Sequence, residues 1–227
     1  TDHTFTLPID YARPADGTLT VFAREVVSPD HEHADLPWLI FFQGGPGFGS
    51  PRPETSMEWI MRAIQDYRVL LLDQRGTGAS HRFDCPTPDD IDPLAVDVDP
   101  AQAAVLARAC LEAVKDTHDA RYYSTEDAAR DLDRVREALG AETVNLIGIS
   151  YGTRMGQIYA KRYPTRVRSL LLDSVVPNEL ILGSEHAINL ETTLKDQLGR
   201  CSADAECGKQ FGDSYATLRE LTAALKS

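Results

Sequence analysis

Five short stretches with strand character alternate with amphipathic stretches, and this alternation limits the chain to few folds. Four of them are continuous apolar runs bounded by turn residues, a pattern typical of strands buried on both faces. These four are PWLIFFQ (residues 37–43), YRVLLLD (67–73), TVNLIGI (143–149) and VRSLLLD (167–173). A further strand is predicted for LTVFAREVV (19–27). We therefore expect a buried sheet.

Helical patterns lie between the strands. SMEWIMRAIQ (56–65) is amphipathic. STEDAARDLDRVREALG (124–140) opens with the capping pair Ser124 and Asp127, carries apolar residues at helical spacing on one face, and ends at Gly140. Strands that alternate with helices form a mostly parallel sheet flanked by helices. The sequence therefore predicts an α/β domain.

Two segments interrupt this alternation. Residues 81–100 are rich in proline and hold six aspartates between Asp84 and Asp99. Because the stretch lacks the turn glycine and final glutamate of an EF-hand, a solvated acidic loop is favoured over a metal site. No metal ion or cofactor is expected. Since the sheet pattern stops late in the chain, residues 1–177 are predicted to form the α/β domain, and the polar, helical residues 178–227 a subdomain.

The charge balance disfavours some partners. Lys and Arg total 23 against 35 Asp and Glu, which gives a net charge of -12. Such a surface repels nucleic-acid phosphates and anionic lipid headgroups. No apolar run approaches the roughly 20 residues that span a bilayer. We therefore expect neither nucleic acid nor a membrane as a partner.

The chain has four cysteines, and whether they form disulfides bears on the cellular compartment in which the protein acts. None lies in a C-x-x-C pattern, and the short polar segment between Cys201 and Cys207 could close as a disulfide loop, which leaves Cys85 for Cys110. Two disulfides, and hence a secreted or periplasmic protein, are slightly favoured. Four free thiols in a cytoplasmic enzyme stay open as the alternative.

The sequence GISYG, residues 148–152, lies between a predicted buried strand and an amphipathic helix. A nucleophile carried on a sharp strand-to-helix turn requires small residues two positions before and after it, as the glycines here provide. We predict that Ser150 is a catalytic nucleophile rather than an ordinary helix cap. A serine hydroxyl is a weak nucleophile by itself, so it also needs a base and an anion-stabilising pocket.

The stretch QGGPG, residues 43–47, follows the strand at 37–43 and predicts part of that pocket. A tetrahedral intermediate needs two N–H donors, one from the residue after the nucleophile, here Tyr151, and one from an earlier loop. Gly45 and Gly44 are the candidates for the second donor, with Gly45 preferred, because glycine lets the main chain approach the substrate closely. A tight turn without a ligand is the alternative.

Three motifs together resemble a known family. GGPG, DQRGTGAS (residues 73–80) and GISYG are similar in order and spacing to the α/β-hydrolase peptidases of the proline iminopeptidase family, including its tripeptidyl aminopeptidase relatives. The resemblance implies an α/β-hydrolase fold with a helical cap and a peptide substrate with a free N-terminus. Gln43 stands where family members commonly have histidine. Asp73 and Arg75 are expected to organise the turn, with Arg75 pinning neighbouring loops.

The acid and base of the triad are not evident. In this fold the order is Ser, then Asp or Glu, then His. After Ser150 there is one histidine, His186, expected to be a cap or surface residue, and Asp173 follows a strand end. The resemblance places the family's catalytic Asp and His beyond the cap. We therefore expect that the chain is the N-terminal part of the fold and that a later segment or a second chain supplies both.

The leading functional hypothesis is a serine exopeptidase that removes N-terminal residues, proline-preferring or tripeptidyl, through an acyl-enzyme on Ser150. An esterase or small-molecule hydrolase is one alternative, and an inactive fragment or one chain of a split enzyme is another. A buried substrate ammonium needs a charge partner. Glu179, Glu185 and Glu191 of the predicted cap are possible partners, none of them favoured.

Overall fold

The structure is a computed structural model that describes residues 1–52, 57–85, 99–181 and 183–225. The chain divides into two compact units, Thr1–Asn178 and Glu179–Ser227. Most of the acidic segment at 81–100, and with it the predicted solvated loop, lies outside the described residues.

A six-stranded sheet forms the first unit, with the strand order β1-β2-β4-β3-β5-β6. The strands are β1 (Asp2–Pro8), β2 (Thr18–Val26), β3 (Trp38–Phe42), β4 (Arg68–Leu72), β5 (Val144–Ile149) and β6 (Val167–Asp173). β1 and β2 run antiparallel to each other, as do β2 and β4, and the other three pairings are parallel. The predicted mostly parallel sheet flanked by helices is confirmed.

Helices cover both faces of the sheet, which explains why β3 and β4 are continuously apolar. The helices of this unit are α1 (Met57–Ala63), α2 (Pro100–Val114), α3 (Thr125–Ala138) and α4 (Tyr151–Arg162). On one face Ile40 and Leu70 pack in a cluster with α3 and α4; on the other, Phe41 and Leu71 pack in a cluster with Ile60 of α1. Burial of each Ile, Leu or Phe side chain in these clusters stabilises the folded state by about 1.5–3 kcal/mol.

Arg75 connects distant parts of the domain. Its Nε and Nη2 atoms donate to the two carboxylate oxygens of Asp131, both at 2.6 Å. The remaining N–H groups donate to the carbonyls of Pro8 (3.2 Å), Ile9 (3.0 Å) and Tyr122 (2.6 Å). Arg75 and Asp131 are both buried. The prediction that Arg75 pins neighbouring loops is confirmed.

Asp73 connects two loops at the carboxyl edge of the sheet. Its carboxylate accepts hydrogen bonds from the N–H of Ser50, at 2.6 Å, and the N–H of Ala79, at 2.8 Å. Gly49 is close enough to this turn that a Cβ there would lie 2.8 Å from the Cα of Gly78. The loop after β3 and the turn after β4 are therefore held together.

The second unit contains three helices, α5 (His186–Ala203), α6 (Ala205–Phe211) and α7 (Ser214–Ala224). A disulfide joins Cys201 to Cys207 here, and another joins Cys85 to Cys110 in the first unit. In the parts of the chain that the structure describes, no helix has the length and hydropathy of a membrane span.

We expect Arg75→Lys to lower the free energy of unfolding by about 2–4 kcal/mol. Lysine keeps the charge but has three donors in place of five, so buried acceptors lose their partners. Denaturant titration of the protein measures the loss.

The matched control is Arg62→Lys, because the Arg62–Glu58 pair is exposed. Its effect should stay within about 0.5 kcal/mol. Equal effects of the two substitutions would contradict the role assigned to Arg75.

Candidate active site

Ser150 alone connects β5 to α4, and its backbone is unusual. Its φ and ψ are 54° and -121°, a conformation that costs a residue other than glycine of the order of 1–3 kcal/mol. The side chain makes no capping hydrogen bond to α4. Ser124, by contrast, caps α3 with φ at -84° and accepts from the N–H of Asp127 at 3.2 Å. Ser150 is therefore not an ordinary helix cap.

Close main-chain packing explains the two glycines of the turn. A Cβ at Gly152 would overlap the carbonyl of Phe42 at the end of β3. A Cβ at Gly148 would overlap the carbonyl of Gly152. Small residues at both positions let the turn approach the neighbouring strand.

Thr153 holds the turn from the other side, a role that the sequence pattern did not reveal. Its buried hydroxyl donates to the carbonyl of Ser150 at 2.6 Å and accepts from the N–H of Val176 at 2.8 Å. The N–H of Ser150 donates to the carbonyl of Asp173 at 2.9 Å. The end of β6 and the segment that follows it thus fix the main chain of Ser150.

The glycine loop after β3 lies against Ser150. A Cβ at Gly44 would lie 3.1 Å from the Cβ of Ser150 and 3.5 Å from its Oγ. Gly45 has φ at 122°, and a Cβ there would lie 3.1 Å from the ring of Phe48. Tyr151 follows Ser150 directly, and its hydroxyl is 2.6 Å from Oγ1 of Thr125. The structure brings Gly44, Ser150 and Tyr151 together, with Gly45 next to Gly44.

Among the described residues of Thr1–Asn178, no histidine is hydrogen-bonded to the hydroxyl of Ser150. His186 is exposed at the first residue of α5, in the second unit. His81 and His118 pack against each other, with ring centroids 4.2 Å apart, and each has Nε2 3.0 Å from a main-chain carbonyl. The Asp173 carboxylate is exposed and accepts from the Ser174 hydroxyl at 3.1 Å.

The three glutamates of the second unit differ in their surroundings. Glu191 accepts a hydrogen bond from the Tyr215 hydroxyl and lies 3.2 Å from Nζ of Lys195. These two contacts, the tyrosine first, hold the pKa of Glu191 below its usual value. Glu179 and Glu185 are exposed. Glu191 therefore already has a cationic partner.

A cavity of about 210 Å³ adjoins Tyr151. Its walls come from the glycine loop (residues 46–48), the turn after β4 (74–77), Phe83, Tyr123 and the start of α3. Burial raises the pKa of the Tyr123 phenol to about 12. We call this space the Tyr151 cavity.

Comparisons with known proteins agree with this geometry. A family model described as the alpha/beta hydrolase fold matches residues 37–201. The proline iminopeptidase of Aeromonas sobria is 36% identical over 172 residues, covering 75% of this chain and 36% of that protein. The tripeptidyl aminopeptidase of Streptomyces lividans is 30% identical over 185 residues, covering 75% and 34%.

A solved structure of an alpha/beta hydrolase from Novosphingobium aromaticivorans has a TM-score of 0.51 at 17% identity, covering 92% of this chain and 60% of that one. At this identity the likeness concerns the fold alone.

The chain belongs to the α/β-hydrolase fold family, and its peptidase-named relatives confirm the resemblance inferred from the three motifs. It spans about a third of the length of these two curated relatives.

We expect Thr153→Val to reduce the free energy of unfolding by about 1–3 kcal/mol. Valine is similar in shape, but the partly buried N–H of Val176 loses its acceptor, and the carbonyl of Ser150 loses one of its two donors. Denaturant titration checks the loss.

The same change at the exposed Thr20 of β2 should stay within about 0.5 kcal/mol. A loss at Thr20 as large as at Thr153 would argue against the hydrogen bonds of Thr153 as the cause.

Proposed function

We propose that this protein is the nucleophile-bearing part of a serine exopeptidase that removes residues from the N-termini of peptides. The observation that carries the proposal is Ser150, held at positive φ at the end of β5 with its side chain free of a capping bond. Its Oγ attacks the scissile carbonyl carbon, a base takes the hydroxyl proton, and the leaving amine receives that proton as the C–N bond breaks. Water then attacks the ester, and the acid product and the serine hydroxyl are released.

The negative charge on the carbonyl oxygen is stabilised by main-chain donors. We assign these to the N–H of Tyr151 and to the N–H of Gly45 or Gly44. The closeness of Gly44 to Oγ of Ser150 supports this assignment, because a donor loop must reach the reacting carbon from the side of the nucleophile. Loss of one such donor typically costs about 10²–10³ in kcat.

The acid and base come, in this proposal, from sequence outside these 227 residues or from a second chain. The outer edge of β6 supports it. β6 ends the sheet, Leu171 is 56% exposed, and no strand of the described residues pairs with its free side. An open edge with apolar side chains is a template for further strands. Parallel strands added there would end at the same edge of the sheet as β5, which carries Ser150 at its end.

A peptide substrate with a free N-terminus is favoured over an ester by the names of the curated relatives. A substrate ammonium that leaves water needs a carboxylate partner.

We expect Ser150→Ala to abolish the release of aniline from aminoacyl and tripeptidyl anilides. Removal of a serine nucleophile costs about 10⁶ in kcat, because no other group can form the acyl-enzyme. The assay uses the complete polypeptide, or this chain with its partner. Ser169→Ala on β6 is the control, and full activity is expected of it.

Three outcomes would contradict the proposal. Retained turnover in Ser150→Ala would show that Ser150 is not the nucleophile. Ester hydrolysis that is faster than anilide hydrolysis and indifferent to acetylation of the substrate amine would favour an esterase. Turnover by the 227 residues alone would contradict an external base.

We also propose that the protein acts in an oxidising compartment, secreted or periplasmic. The two disulfides support this, because such bonds persist mainly in secreted and periplasmic proteins. Peptide mapping of the native protein without reductant should link Cys85 to Cys110 and Cys201 to Cys207. Four alkylated thiols in protein isolated under thiol-blocking conditions would contradict it.

A further inference from the structure

We propose that a second cavity of the first unit binds a small anion with two or more oxyanion groups, such as a condensed phosphate or a polycarboxylate. This cavity has a volume of about 450 Å³ and is lined by residues of α3, of the end of α4 and of the loop after β1. The volume lies within the roughly 300–1,000 Å³ of pockets that hold small molecules. Because four arginines line it, we call it the arginine cavity: Arg130, Arg134, Arg162 and Arg166.

The charge of the arginine cavity is opposite to that of the chain. Its lining carries four guanidinium groups against two carboxylates, those of Asp133 and Glu137, whereas acidic residues outnumber basic ones by 35 to 23 in the whole chain. Arg130 and Arg134 are four residues apart on α3, a spacing at which like charges destabilise a helix. A bound anion relieves that repulsion.

The two arginines of α3 have N–H groups to spare. A guanidinium has five N–H donors. Within the described ranges, the hydrogen bonds of Arg134 are limited to one with Glu137, at 2.9 Å, and those of Arg130 to one with Asp127, at 3.3 Å. Arg75, by contrast, uses all five donors inside the domain. The α3 arginines can therefore donate to a ligand without giving up a protein contact.

The other two arginines approach the cavity from the end of α4. Their guanidinium carbons lie 5.7 Å (Arg162) and 5.0 Å (Arg166) from the ring centroid of Tyr163. Arg162 uses only its Nε and Nη1 atoms in hydrogen bonds to described residues. Arg166 donates to Asp133, but this carboxylate also accepts from Nε of the buried Arg136, at 3.0 Å. Since Asp133 is shared by two arginines, it does not neutralise the lining.

One wall of the arginine cavity is held in place from inside the domain. The hydroxyl of Tyr11 donates to Oδ1 of Asp131, at 2.7 Å, and Asp131 is the buried partner of Arg75. The guanidinium carbon of Arg130 lies 5.7 Å from the centroid of the Tyr11 ring. Groups that are already ordered bind a ligand at a lower entropic cost.

The chemistry of guanidinium groups indicates the class of ligand. The planar fork of arginine matches the oxygens of a carboxylate or a phosphate and binds them through two parallel hydrogen bonds. The cavity has one pair of arginines on α3 and another at the end of α4. An anion with two or more charged groups can contact both pairs, whereas a monovalent anion contacts one.

The arginine cavity is separate from the candidate active site. Ser150 directly precedes α4, and Arg162 is the last residue of that helix. An α-helix rises about 1.5 Å per residue, so roughly 16 Å of helix lies between the two ends. The inferred site therefore goes beyond the proposed hydrolysis and does not depend on it.

The test is isothermal titration calorimetry of the complete protein at an ionic strength of about 0.15 M, where charges more than about 8 Å apart are largely screened. One arm uses inorganic pyrophosphate, another citrate, and a third acetate. We expect saturable binding of pyrophosphate, citrate or both, and at least about 10-fold weaker binding of acetate, which offers a single carboxylate. Binding of pyrophosphate alone assigns condensed phosphates, and binding of citrate alone assigns polycarboxylates.

Substitutions then locate the bound anion. Arg130→Gln and Arg134→Gln should each weaken binding at least about 10-fold, because each removes a charged donor. Arg134→Lys, which keeps the charge but not the fork, should have an intermediate affinity. The matched control is Arg121→Gln: Arg121 also pairs with a carboxylate, that of Asp119, and lies over a tyrosine ring, that of Tyr122, but does so outside the cavity. It should bind the anion as tightly as the wild type.

Four outcomes would overturn the inference. They are no saturable binding of pyrophosphate or citrate, acetate binding as tight as either, unchanged affinity in both α3 variants, and an equal loss in Arg121→Gln and Arg134→Gln. Ser150→Ala should keep the wild-type affinity, and a loss there would instead place the anion at the candidate active site. The side chain of Arg134 is 56% exposed, so Arg134→Gln serves if Arg130→Gln does not fold. Because calorimetry does not require hydrolysis, these outcomes are independent of the proposed function.

Discussion

All five N–H groups of Arg75 are engaged inside the domain, and the carboxylate of Asp73, two residues earlier, binds the loop that carries Gly44. Together they position four pieces of chain around the turn after β4: the end of β1, the glycine loop, residue 122 before α3, and α3 itself through Asp131. Because β3, β4 and β5 are parallel, their carboxyl ends lie at one edge of the sheet, but the strands alone do not fix the loops that follow them. The side chains of this turn fix them.

Residues that are close in sequence could be predicted well. The strand, serine and helix around Ser150 form one local unit whose apolar pattern and glycines are visible in the sequence, and the three motifs together identified the family. The glycine loop was predicted for the same reason, although the structure places Gly44 rather than Gly45 directly against Ser150. The apolar pattern of a strand or helix and the residues of a turn can be identified directly in the sequence.

Contacts between distant residues could not be predicted in this way. Thr153 looks like an ordinary helix residue, and its partner Val176 lies 23 residues away. Phe83 and Tyr123 come from segments without a recognisable motif, and only the folded chain brings their rings together.

The bonds from Arg75 to the carbonyls of Pro8 and Ile9 give the N-terminal strand a significance beyond the sheet. β1 lies at the edge of the sheet, and none of its side chains contributes to the candidate site. Trimming it would leave guanidinium donors without acceptors beneath the turn that also holds the glycine loop. Residues 8 and 9 therefore help to support the edge of the sheet that carries Ser150.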